Sequence, residues 1–186
     1  MERQKKDFEK VFDSLRKTRI KYIFHKKWYV LSKEEFEGLK NNKFEGYELI
    51  FRFLEDQKIP YYIGLSSAKY LNKLNWQSLK VIHLINPKFK LKRKIENMEV
   101  QLIKFPKELI INMALNKTNK GIPYSDIEKT LLDEIYYKKG KLQITDYDFD
   151  KLDIEKLKAY LVFYSKYKII KKETMNKLNK EQIKLL

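Results

Sequence analysis

Ser125-Asp-Ile-Glu-Lys-Thr-Leu-Leu-Asp-Glu-Ile-Tyr-Tyr-Lys138 is the stretch whose reading decides the fold. Ser125 and Glu128 stand three residues apart, the spacing of a capping box. The Ser125 hydroxyl can accept from the backbone N–H of Glu128, and the Glu128 carboxylate can accept from the N–H of Ser125. This predicts a helix over 125–138. At about 100° per residue, Ile127, Leu131, Leu132 and Ile135 fall on one apolar stripe, while Lys129, Asp133 and Glu134 fall off it. Glu128 lies within the stripe by angle, and the cap supplies its partner. Burying each of the four aliphatic side chains is worth about 1.5–3 kcal/mol. The stretch is therefore expected to be a core helix with a sharply defined start.

On its C-terminal side, Gly140 suits the helix exit. Asp153 can cap a helix over 154–166 that places Leu157, Tyr160, Leu161 and Tyr164 on one face, and a last helix is expected from 172 onward. On its N-terminal side, 116–123 reads as a loop, and 109–115 is ambiguous between strand and helix. Met98 to Phe105 alternates like a strand. Leu79 to Ile85 is a nearly continuous apolar run, which suggests a strand buried on both faces. Between those strands lie Lys88, Lys90, Lys92, Arg93 and Lys94. They read as a solvated edge or loop, where lysines block edge-to-edge pairing.

Further upstream, the small residues Ser66, Ser67 and Ala68 fit a closely packed helix over 65–74, preceded by an extended piece at 61–63. A helix is predicted over 47–57. A second capping box, Ser32 with Glu35, opens one over 33–41. Phe8, Val11, Phe12 and Leu15 predict a helix over 2–18. Two β-prone runs, Ile20 to Phe24 and Trp28 to Leu31, predict a hairpin tipped by His25-Lys26-Lys27.

The whole chain, at 186 residues with 35% charged and 43% hydrophobic side chains, suits one or two small folded domains. It has no cysteine, which excludes disulfides and thiolate metal sites. No apolar run approaches the ~20 residues needed to span a bilayer, and the N-terminus has no apolar segment behind its charges. No membrane partner and a cytoplasmic location are expected. The net charge of +16 points to a polyanionic partner. Only five of the 41 cations are arginine. Lysine suits phosphates, whereas arginine reads base edges.

Patterns for catalysis are lacking. Asp146, Asp148 and Asp150 begin like a calcium loop, but Lys151 stands where glycine is needed and Leu157 where a bidentate Glu belongs. His25 and His83 are the only histidines, and His83 inside an apolar run reads as a packed core residue. Five glycines leave little room for a backbone phosphate cradle. No catalytic residue, metal or cofactor is assigned, and the protein is not expected to be an enzyme. Arg16, Lys17, Arg19, Lys21, Lys26 and Lys27 cluster around the predicted hairpin, interleaved with Tyr22, Trp28 and Tyr29. A helix beside a two-stranded basic wing is how winged helix-turn-helix proteins meet phosphates. A solvated charged face over an aromatic mini-core is the other reading.

Three segments in order carry a resemblance to a known family. Asp126-Ile-Glu-Lys-Thr-Leu-Leu-Asp133 resembles the Pro-Glu-Arg-Thr-Leu-Leu-Asp segment of AbiEi-like antitoxins, the transcriptional-regulator half of type IV toxin–antitoxin pairs. Tyr61-Tyr-Ile-Gly-Leu-Ser-Ser-Ala68 resembles that family's strand-to-helix element. Ile20 to Leu31 resembles its wing, with Lys27 where the wing glycine would stand. Lys73-Leu74 replaces the usual Gly-Leu, and the N-terminal winged-helix region is shortened.

The resemblance implies an α+β chain: a small basic winged-helix-like unit over 1–45, then a mixed α/β antitoxin-like domain over 46–186. It implies DNA binding through the six N-terminal cations and autorepression. A nucleotidyltransferase-type toxin from a neighbouring gene is the implied partner. Ser125, Glu128, Leu131, Leu132 and Asp133 are expected to be structural residues of the motif. A homodimer is compatible with this reading. The alternatives are an interaction module without DNA reading and an accessory subunit of a nucleic-acid enzyme.

Overall fold

The computed structural model describes residues 6, 9–10, 21–24, 27–30, 48–74, 80–95, 98–111, 115–139, 147 and 151–167. Over these the chain is an α+β protein. In chain order its elements are β1 (Lys21–Phe24), β2 (Lys27–Val30), α1 (Glu48–Asp56), β3 (Tyr62–Ile63), α2 (Leu65–Leu71), β4 (Val81–Asn86), β5 (Leu91–Ile95), β6 (Met98–Lys104), α3 (Glu108–Ile111), β7 (Leu115–Lys117), β8 (Pro123–Ser125), α4 (Ile127–Tyr137) and α5 (Ile154–Ser165). The chain forms two compact units, Met1–Tyr61 with Leu79–Ile110, and Tyr62–Ser78 with Ile111–Leu186. The helices predicted over 33–41 and from 172 onward lie outside the described residues, as does most of the one over 2–18.

In the first unit, the strand order is β5-β6-β4. β4 and β6 run parallel, with Ile82 opposite Val100 and Leu84 opposite Leu102. All four side chains are buried on one face, while on the other Ile85 and Ile103 are buried but Val81 and His83 only half-buried, so the burial on both faces expected of the apolar run at 79–85 is met in part. β5 returns antiparallel to β6, and the basic segment is indeed an edge, with Lys92, Arg93 and Lys94 exposed. In α1, Ile50, Phe53 and Leu54 form the buried stripe. Phe51 stacks on Tyr61 with ring centroids 5.9 Å apart.

His83 lies half-buried in β4, and its burial lowers the imidazole pKa from 6.5 to about 4, with Glu99 opposing the shift. The unfolded chain therefore binds this proton more readily, so the contribution is lost as pH falls from about 6.5 towards 4. Between pH 7 and 4.5 the parent should lose about 2 kcal/mol more than His83→Gln. Urea unfolding of both proteins at the two pH values checks this, and equal losses would contradict it.

In the second unit, β3 and β8 run parallel, with Ile63 opposite Tyr124. Each passes through one residue, Gly64 or Asp126, into a helix. The α2 and α5 helices both pack on α4. β7 pairs antiparallel with β8, so the segment 116–123 expected as a loop is largely a hairpin. Its turn is closed by the N–H of Gly121 donating to the carbonyl of Thr118 at 2.8 Å. Gly121 takes φ +79°, a conformation that glycine adopts without steric cost. Two strands of three residues are too short for a period-2 pattern to register.

Candidate functional site

β1 and β2 form the predicted antiparallel hairpin, with Tyr22 opposite Tyr29 and Ile23 opposite Trp28. Only residues 25 and 26 separate the strands. Lys27 pairs with Phe24 at the turn end of the ladder, and Lys21 pairs with Val30 at the open end. Two of the six candidate cations thus mark the two ends of the ribbon, about 10 Å apart at 3.3–3.4 Å per residue. Arg16, Lys17, Arg19 and Lys26 lie outside the described residues.

The motif helix starts one residue later than the capping-box spacing predicts. Asp126 is the N-cap, and its carboxylate accepts from the backbone N–H of Lys129 at 2.8 Å. Ser125 is instead the last residue of β8. Its hydroxyl lies 2.8 Å from that of Thr130, and its carbonyl accepts from the Asn72 side-chain amide at 2.8 Å. Serine and aspartate cap equally well, and strand pairing claims Ser125. Glu128 does not reach back to Ser125 either. Its carboxylate accepts from the backbone N–H of Asp153 at 2.9 Å, and Lys156 lies 3.6 Å away. Asp153 itself caps α5, as predicted, by accepting from the N–H of Lys156.

Leu131, Leu132 and Ile135 are fully buried, as the stripe predicts, while Ile127, its first member, is only half-buried. The polar residues placed off the stripe are not on a solvated face. Lys129 and Asp133 are each 0% exposed, and Glu134 is buried. β3, α2 and α5 cover the faces left open by a single apolar stripe. Asp133 accepts from Tyr62 of β3 at 2.8 Å, from Lys129 at 3.2 Å and from Tyr164 of α5. The Lys129 ammonium sits 4.5 Å from the Tyr62 ring centroid and 3.1 Å from the Tyr164 hydroxyl. A second pair, Lys69 of α2 with Glu134 at 2.9 Å, joins the neighbouring helix. Tyr160 of α5 donates to the second oxygen of the Asp126 cap at 2.9 Å, which Lys156 also holds at 2.8 Å.

Burial is the main influence on the titration of this cluster. It lowers the Lys129 pKa, against the pull of Asp133, and raises that of Asp133, against Lys129 and the two tyrosines. It also lifts Tyr62 and Tyr164 well above the usual phenol range, and Asp133 reinforces that rise. Both phenols therefore stay protonated and donate. Charge-assisted bonds of this kind hold best in a dry interior. The cluster is sealed from solvent and ties β3, α2 and α5 to α4.

No family model matches the chain, and no curated protein matches it. Among the described residues, no group of three His, Asp or Glu side chains could hold a metal ion. The Asp146, Asp148 and Asp150 triple falls outside them. No described helix is long and apolar enough to cross a membrane.

Lys129, Thr130 and Asp126 are the residues that spacing alone does not single out. Lys129 and Asp133 at i,i+4 have the signature of an ordinary surface ion pair. The one available signal is Tyr164, which the α5 stripe already places inward.

Proposed function

We propose that this chain is an antitoxin-like transcriptional regulator. It binds DNA of its own operon and counteracts a nucleotidyltransferase-type toxin, and it has no catalytic site of its own. The observation that carries the reading is the Tyr62–Asp133 bond. Two segments resembling AbiEi-like antitoxins, Tyr61–Ala68 and Asp126–Asp133, are joined by this bond across 71 positions. The third such segment forms an antiparallel hairpin, and the net charge of +16 suits a polyanion.

In this reading Lys21, Lys26 and Lys27 contact phosphates, which positions the hairpin without reading sequence. Arg16 and Arg19 are the base readers, because a guanidinium can pair both acceptors of a guanine. The test is a reporter gene driven by the DNA upstream of this gene. The parent should repress it, and Arg16→Ala with Arg19→Ala should relieve repression at unchanged protein level. Reporter output that ignores the parent protein would refute the regulator reading. Growth rescue on co-expression with the product of the neighbouring gene tests the antitoxin half separately.

A further inference from the structure

The basic edge of the first unit is not absorbed by the hairpin reading. From Phe89 to Lys92 the pattern alternates, with Phe89 and Leu91 buried and Lys90 and Lys92 exposed, and Arg93 and Lys94 beyond them are both exposed. Strand geometry puts Lys92 and Lys94 of β5 on one face, and Lys90 lies one residue ahead of the strand, within about 13 Å of Lys94 at 3.3 Å per residue. β5 pairs with β6 alone and ends the strand order. Residues 80–107 hold seven lysines and Arg93 against two carboxylates, Glu96 and Glu99. Glu99 pairs with Lys92 at 2.9 Å, and Arg93 pairs with Glu9 at 2.7 Å.

The approach to the edge is held by four hydrogen bonds of one side chain. Asn86 is fully buried, and its side-chain oxygen accepts from the N–H groups of Lys88 and Phe89 at 2.9 and 3.0 Å. Its amide donates to the carbonyls of Phe89 and Ile103 at 3.0 and 3.3 Å. The turn leading into the lysine row is thus set before any ligand arrives, which lowers the ordering cost of binding.

We propose that the Lys90–Lys92–Lys94 row is a second, sequence-independent contact for nucleic-acid phosphates. Lysines along an edge oppose addition of a neutral or basic strand, including a second copy of β5. A polyanion is the partner they favour. Lysine ammonium groups bind phosphate as point charges, and Arg93, whose fork would suit either phosphate or carboxylate, is already held by Glu9. The proposal rests on the DNA-binding reading above, and its residues are distinct from the hairpin.

The test is a fluorescence-anisotropy titration of the full chain on a random-sequence duplex over a range of salt. Lys90→Ala/Lys92→Ala/Lys94→Ala should flatten the slope of log K against log salt by about 2.7, at roughly 0.9 per phosphate contact. The three arginine replacements should keep the slope, and circular dichroism should show both variants folded. Lys26→Ala/Lys27→Ala should flatten it by about 2. A lysine-row variant that binds like the parent would overturn the inference while leaving the hairpin reading intact. Loss only in the lysine-row variant would uphold it and remove the hairpin. A parent that does not bind the duplex refutes both. A glutamate-rich peptide of equal charge that displaces the duplex as well as unlabelled DNA would reassign the row to an acidic protein.

Discussion

Asp133→Ala should destabilise the protein by about 3–5 kcal/mol, the usual cost of removing one partner of a buried ion pair. Asp133 is the acceptor for Tyr62, Lys129 and Tyr164 at once. Its loss leaves an ammonium and two phenols in a site where Lys129 and Asp133 have no exposed side-chain surface. Much of the cost is the desolvated charge left behind, not the attraction that was lost. The double change Asp133→Leu with Lys129→Met removes both charges and keeps the volume. It should recover most of the stability, because apolar replacements of whole buried pairs are often neutral. Denaturant unfolding of the three proteins gives the comparison. A double variant as unstable as Asp133→Ala would mean that hydrogen bonding by the phenols, not the uncompensated charge, dominates.

Leu131→Ala should cost about 2–5 kcal/mol through the cavity it leaves. Leu131 is fully buried, one turn from Ile135 on the same stripe. Val162 of α5 is 65% exposed, so Val162→Ala serves as the control and should stay within about 0.5 kcal/mol of the parent. Equal costs for the two would show that α4 is not the central element of its unit.

The parts of this fold that follow a local rule were legible. The apolar stripe of α4, the Asp153 cap of α5, the β1–β2 hairpin and the inward alternation of β6 each depend on residues a few positions apart. The α4 cap shifted because Ser125 and Asp126 are equally competent and only the pairing of β8 decides between them. β7 and β8 went unread because three residues cannot carry a period. The buried cluster was illegible for a different reason. Lys129 and Asp133 look the same in sequence whether water or tyrosine surrounds them, and Tyr62 lies 71 positions away from Asp133. The candidate DNA contacts were legible only as charge, and the structure adds the backbone positions of Lys21 and Lys27.

The most direct test of the regulator reading is a competition titration of the full chain at fixed salt. A duplex from upstream of its own gene would compete against a random duplex of equal length. The account predicts a preference on the order of 10³ for the upstream duplex, the lower end for specific binders. Arg16→Ala with Arg19→Ala should bring that preference towards one. Equal affinity of the parent protein for the two duplexes would contradict the account.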